Sequence, residues 1–257
     1  MASKYNKLLG KHVLIIGGST GIGFGIAEAS LAGGANVTIS SSSQAKLSQA
    51  VASLQSFVPA SSQQKIQSFA ANLSGSDAEA NLEAVFEQAG PVDHVVFTAA
   101  DSLSLMMLQD LTPDKILAAC QMRLVAPLIA AKVAARYLRK SNESSFTITS
   151  GCVAQKSTPG WSVVSYFAAG LQGVIKQLAV ELKPLRVNVV APGYVDTGLW
   201  DGLKPEEKEE MIKGMEASMP TGKFARVEDV VEAYLWLMKD RNVTGTVAAT
   251  DSGIMVV

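Results

Sequence analysis

The sequence predicts an α/β fold: one domain over residues 1–257, built on a doubly wound, mostly parallel sheet of seven strands. Three observations predict it. Short β-branched runs alternate with helical stretches along the chain, the pattern of a parallel sheet covered on both faces. A glycine-rich turn, Gly17-Gly-Ser-Thr-Gly-Ile-Gly23, separates the first strand from the first helix. No repeat, linker or low-complexity block beyond short serine runs breaks the alternation.

The elements follow in order. Residues 12–16 form an apolar run ending at glycine, hence a buried strand. A helix then runs to about Ala32, and residues 36–40 make the second strand. A helix over 45–57 leads through a Pro59-bearing loop to a third strand at 65–71. Ser76 is placed to cap a helix over 77–88, before a fourth strand at 93–98. Residues 114–138 read as one long helix kinked at Pro127, which lacks the N–H a helix needs. A fifth strand at 144–149 feeds a helix over 162–182, and a sixth strand follows at 186–191. Residues 206–216 form a charged amphipathic helix. Another helix, over 227–238, opens on Glu228 and Asp229, whose charges suit a helix N-terminus. The last strand is 246–250.

Bulk composition narrows the function classes. Lys and Arg total 22 against 23 Asp and Glu, so no basic excess points to nucleic acid or an anionic membrane. Two cysteines, Cys120 and Cys152, fit a reducing compartment without a disulfide framework. Residues 1–7 are polar and lack a signal core, and no apolar run reads as long enough to span a bilayer. The expected location is cytoplasmic. His12 and His94 begin strands, and no Cys/His cluster is present, so no metal is expected.

Gly17, Gly21 and Gly23, with the backbone of Ser19, Thr20 and Ile22, sit where a strand feeds a helix. Glycines there permit a tight turn and let N–H groups approach a pyrophosphate beside the positive helix end. At the end of the second strand an acid usually holds the ribose of NAD. This chain has Ser41 and Ser42, with Ser43 and Lys46 beyond. Hydroxyls and a cation there favour NADP(H) over NAD(H); the alternative is that the serines only cap the next helix.

Together these features resemble the short-chain dehydrogenase/reductase family, which implies a Rossmann-type domain. Asn72 and Leu73 occupy the family's adenine-contacting position, and Thr98, Ala99 and Ala100 its Asn-Asn-Ala-Gly segment. The resemblance places Pro192, Gly193, Val195 and Thr197 at the carboxamide of the nicotinamide. Thr244-Gly245 and Asp251-Ser-Gly253 match its C-terminal signature. It also implies a small-molecule substrate and a homodimer or homotetramer formed through the two long helices. The apolar 254–257 stretch is expected to pack, at a subunit contact in that assembly.

The family's catalysis uses Asn, Ser, Tyr and Lys, with Tyr and Lys one helical turn apart. Tyr166 resembles the tyrosine, but Gly170 then stands at the lysine position. Counting back from Gly173–Leu182, which is similar to the end of the family's helix, puts Val164 and Ala168 at the two positions. The same register gives Ser150 as the serine and Arg123 in place of the asparagine. The candidate catalytic residues are therefore Arg123 and Ser150, with Asp101 near Arg123, and Tyr166 if a local bulge returns it to the cleft. A lid is expected over 194–221, carrying Leu199, Trp200, Met211, Met215 and Met219.

Three readings stay open. One is an NADPH-dependent reductase of a pre-activated C=N (iminium) or C=O group in a small, largely apolar metabolite. The second is a non-redox cyclase or isomerase in the same crevice; the Arg in place of Asn resembles fungal family members of alkaloid pathways that join reduction to Diels–Alder cyclisation. The third is an NADP-binding sensor or pseudoenzyme.

Overall fold

The computed structural model describes residues 4–59, 61–200, 202 and 204–257. Seven strands make one sheet: β1 (His12–Ile16), β2 (Asn36–Ser41), β3 (Ile66–Ala70), β4 (His94–Phe97), β5 (Ser145–Thr149), β6 (Arg186–Pro192) and β7 (Val247–Thr250). Their order is β3-β2-β1-β4-β5-β6-β7, and every neighbouring pair is parallel. The sheet is thus wholly rather than mostly parallel.

Helices cover both faces. One layer holds α1 (Gly21–Ala32), α2 (Gln44–Phe57) and α8 (Val227–Lys239). The other holds α3 (Ala78–Ala89), α5 (Ala126–Tyr137) and α6 (Ser162–Glu181). Strand alternation divides the core between them: in β1, Leu14 and Ile16 pack with α3, α5 and α6, while Val13 and Ile15 pack with α1, α2 and α8. Strand order reverses at β1, so the β1–β4 junction opens a crevice at the C-terminal strand ends.

Three expectations need correction here. First, α3 begins at Ala78 after Asp77, and no side chain caps it, Ser76 included. Second, the long helix is interrupted. It consists of α4 (Pro113–Cys120), a π-helical turn over Gln121–Val125 and then α5. The deformation lies just upstream of Pro127 rather than at it. Proline offers no N–H to the carbonyl one turn back, and the wider hydrogen-bonding of a π turn accommodates the loss. Third, Pro113–Tyr137 and Ser162–Glu181 are each long and apolar enough, by length and composition alone, to cross a membrane. In this fold α5 and Ser162–Glu181 pack on the sheet and α4 packs on Val163 and Phe167, while the outer faces leave Leu117, Val125, Leu128, Tyr166 and Val180 exposed.

Polar groups gather at the N-terminal strand ends, away from the crevice. Buried Arg186 donates Nε to the Asn142 carbonyl at 2.7 Å and Nη2 to that of Met238 at 2.8 Å. It thereby satisfies a carbonyl that the end of α8 leaves open. Asp93 accepts from the His12 N–H at 2.9 Å and pairs with Arg139 at 3.2 Å. His94 is buried against the Ser145 hydroxyl at 2.9 Å, and burial pulls its pKa down to about 3. Burial lowers His12 as well.

These histidines make stability depend on pH. An unfolded histidine takes a proton below about pH 6.5, which the buried one refuses until far lower. Stability is therefore complete above 6.5 and declines on acidification toward 3, by about 1.4 kcal/mol per pH unit for His94 alone. Urea unfolding at pH 6.5 and pH 5 should differ by roughly 2 kcal/mol, and His94→Asn should flatten that slope. Equal slopes in the two proteins would remove His94 as the cause.

Candidate active site

The crevice is a cleft of about 750 Å³ that runs across the ends of β1 to β6. Its floor at one end is the glycine turn. Gly17 has φ +97°, and a Cβ there would lie 2.4 Å from the Ala99 nitrogen. At Gly23 a Cβ would lie 2.2 Å from the Gly17 oxygen and 2.6 Å from Thr98 Oγ1. Thr98 donates that hydroxyl toward the Ile16 and Gly17 carbonyls, each at 3.2 Å, so the ends of β1 and β4 are bound together. Thr20 gives α1 no side-chain cap, and Gly21, Ile22 and Gly23 line the cleft. Uncapped N–H groups at a helix start, reached over backbone that admits no side chain, fit a pyrophosphate.

At the end of β2, Ser19 Oγ donates to Ser41 Oγ at 2.9 Å. Ser43, not Ser41 or Ser42, caps α2 by accepting the Lys46 N–H at 3.3 Å. Ser41, Ser42 and Lys46 all line the cleft, and no carboxylate among the described residues lines it at this end. Further along, the Asn72 side chain accepts from the Ser74 N–H at 3.0 Å and its hydroxyl at 2.8 Å, while Leu73 is buried. Gln121 of the π turn donates to the Leu73 carbonyl at 2.9 Å, tying that turn to the β3 end. Thr98, Ala99 and Ala100 form the next stretch of wall. Beyond them stand Pro192, Gly193, Val195 and Thr197; a Cβ on Gly193 would meet Asp251 Cα at 2.8 Å. All the residues expected to hold the cofactor therefore share one cleft.

At the two positions that the count along α6 assigns to the proton-transfer pair, the chain presents hydrocarbon. Val164 and Ala168 line the cleft, 8% and 7% exposed. Tyr166 does not line it; it is 69% exposed on the outer side of α6, its ring beside Phe167 at 5.6 Å. No bulge interrupts α6, so two residues of helix, about 200° of rotation, carry Tyr166 away. It is withdrawn as a catalytic candidate. Tyr166→Phe should keep turnover within about twofold, whereas loss of a true acid costs 10²–10⁴-fold; steady-state kinetics would decide.

Ser150 is in the cleft, but its hydroxyl is committed. It donates to the Ala168 carbonyl at 2.9 Å, and Gln172 reaches the Gly151 carbonyl at 3.2 Å. Gln172 escaped the sequence reading, although it continues the 164–168 face by one more turn. Arg123, on the π turn, lines the same cleft. Its Nε donates to Asp101 Oδ1 at 2.8 Å, and its Nη2 to the Asp101 carbonyl. Both residues line the cleft, so the expected pairing is present.

The substrate half also holds residues the sequence did not single out. Cys152, Lys156 and Trp161 line it alongside Tyr194 and Trp200 of the expected lid. Tyr194 stands 6.4 Å from Trp161, edge to face, and 6.0 Å from Trp200. Their signal was position alone, since segments after β5 and β6 open over the crevice. Burial pushes the Cys152 thiol up to about 11, so it is not a ready nucleophile. The expected lid includes α7 (Pro205–Ser218), whose Met211 and Met215 pack with Trp200, Phe224 and Ile254. Met219 is buried in the same cluster. The side chain of Leu199, and residues 201 and 203, lie outside the described residues. Among the described residues no group of His, Cys, Asp and Glu could hold a metal ion.

Residues 4–257 match the SDR-like Rossmann domain family. The short-chain dehydrogenase/reductase fsr5 of Gibberella fujikuroi is 42% identical over 257 residues, covering 98% of this chain and 97% of that one. The short-chain dehydrogenase/reductase malC of Malbranchea aurantiaca is 38% identical, covering 97% and 96%. A solved structure of the MalC reductase/Diels-Alderase superimposes with a TM-score of 0.93 at 37% identity, covering 98% of this chain and 99% of that chain. A small-chain dehydrogenase solved with NADPH shares the fold at 23% identity and a TM-score of 0.78, covering 96% of this chain and 100% of that chain.

Proposed function

This chain belongs to the short-chain dehydrogenase/reductase family, and on that premise we propose that it is an NADPH-dependent reductase of a pre-activated C=N or C=O group in a small, largely apolar metabolite. It is an oxidoreductase of that family. The observation that carries the finer reading is the replacement of the acid and its lysine by Val164 and Ala168, beside a cleft otherwise built for a dinucleotide. A substrate that needs no strong acid loses little from this replacement. NADPH, when bound, supplies the hydride. The Gly17–Gly23 turn would hold its pyrophosphate, Ser41, Ser42 and Lys46 its 2′-phosphate, and Pro192, Gly193, Val195 and Thr197 its carboxamide. Arg123, fixed by Asp101, orients the acceptor group, because a guanidinium presents its donors as a rigid fork. Ser150 braces the β5 end against α6 through its bond to Ala168.

Non-redox cyclisation in the same cleft is the second reading. It is favoured by likeness to a protein described as a reductase/Diels-Alderase. Single-turnover mixing of NADPH-loaded enzyme with iminium and ketone substrates separates the two. Stoichiometric NADPH oxidation supports the reductase; product formed without oxidation supports the cyclase. Tighter binding of NADH than NADPH would sink the cofactor assignment. Self-association as a dimer or tetramer would cover the exposed apolar outer faces of α4, α5 and α6.

A further inference from the structure

The π turn over Gln121–Val125 carries two side chains that reach two different segments of the cleft wall. Gln121 Nε2 donates to the Leu73 carbonyl at 2.9 Å and to the Gly75 carbonyl at 3.2 Å. Asn81 of α3 donates to the neighbouring Asn72 carbonyl at 2.8 Å. Residues 71–74 line the cleft at the end expected to hold adenine. Just after Gln121 on the turn, Arg123 holds Asp101, and its Nη2 lies 3.4 Å from the Ser102 carbonyl. One short turn is therefore fastened to the segment that follows β3 and to the segment that follows β4.

Packing alone does little to fix this turn. None of its five residues is buried, whereas α5 buries six. Met122 and Leu124 are only partly buried against the core. Where a close-packed core does not set position, the hydrogen bonds of the turn decide where its guanidinium points. Gln121 does not line the cleft, so a bound molecule acts on it only through the 71–75 segment. A ligand resting on that segment restricts its motion, and a side chain tied to it by two hydrogen bonds passes the restriction to the turn. Linkage makes the effect mutual.

Resting on the reductase reading, in which Arg123 orients the acceptor group, we propose that Gln121 is a positioning residue. It ties the π turn to the 71–75 segment, so that filling the adenine end of the cleft steadies Arg123 and the 101–105 loop without any substrate present. Arg123 stays the group that meets substrate. Gln121 touches neither substrate nor cofactor and acts through the turn.

The test is hydrogen–deuterium exchange with adenosine 2′,5′-bisphosphate, the adenine and 2′-phosphate end of NADP, which lacks the nicotinamide and cannot react. Each protein is measured at saturation, so a change in affinity does not enter. In the parent, exchange should slow by about fivefold at 71–76, the scale of one hydrogen bond, and by a similar factor at 101–105. Gln121→Leu keeps the bulk of the side chain and removes its donor. It should retain the slowing at 71–76, which also shows that it has folded, and lose the slowing at 101–105. Gln121→Lys, which returns a donor, should recover it. The proposal is overturned if the parent shows no slowing at 101–105, if that slowing survives Gln121→Leu, or if Gln121→Lys behaves as Gln121→Leu does. Absence of any slowing at 71–76 in the parent overturns it together with the adenine placement. If the pattern holds but single-turnover mixing oxidises no NADPH, the reductase reading fails alone. If NADPH is oxidised while 101–105 stays unprotected, this inference fails alone.

Discussion

Gly23→Ala should weaken NADPH binding by about 100-fold, the factor that corresponds to about 3 kcal/mol of forced displacement. The new methyl would stand 2.2 Å from the Gly17 carbonyl oxygen and 2.6 Å from Thr98 Oγ1. Neither neighbour can yield cheaply. The first is backbone in a turn where Gly17 already has φ +97°. The second ties two strand ends together. Relief requires α1 to withdraw from β1, which opens the surface that should grip phosphate. Titration with NADPH reads the loss, and a melting curve separates it from unfolding. Gly214→Ala is the control: it lies in exposed α7 with nothing within 4 Å of its added carbon. Affinity in Gly23→Ala within about threefold of the parent would contradict the assignment of this turn to the cofactor.

Arg123→Ala should lower kcat by about 100-fold or more while leaving the NADPH dissociation constant unchanged, the scale set by removing one aimed donor from a cleft. Arg123 lines the same cleft as Ser150, among the groups that would meet substrate. Its fork is held at two points, by the Asp101 carboxylate and the Asp101 carbonyl. Arg123→Lys should recover little, since an ammonium cannot make that two-point contact and still present a directed donor. A fall in KM alone, or unchanged turnover in a folded protein, would remove Arg123 from the mechanism and leave it as a brace for the 98–103 loop.

Regular structure was legible where side chains repeat. Val13 to Ile16 declare a buried strand, and the glycines after them declare the turn, because steric demand falls on specific residues. The placement of Val164 and Ala168 followed from counting along an unbroken helix, where each step fixes an angle. Tyr166 shows how a local likeness misleads when that angle is ignored. Pro127 announced a break in the long helix, but not its form or place, since the tie of Gln121 to the β3 end is tertiary. Lys156 and Trp161 were missed for a related reason. They stand on irregular backbone, where no period tells which side chain turns inward.

The π turn at Gln121–Val125 also divides one long helix into two rods of independent phase. The rod after it, α5, has six buried residues pressed on the sheet; the rod before it, α4, has only Ala119. Replacements on the exposed side of α4 can therefore accumulate with less effect on the sheet packing than replacements in α5. Arg123 lies at that joint. A lineage with such a joint is free to try new polar groups at the mouth of its cleft while its foundations stay fixed.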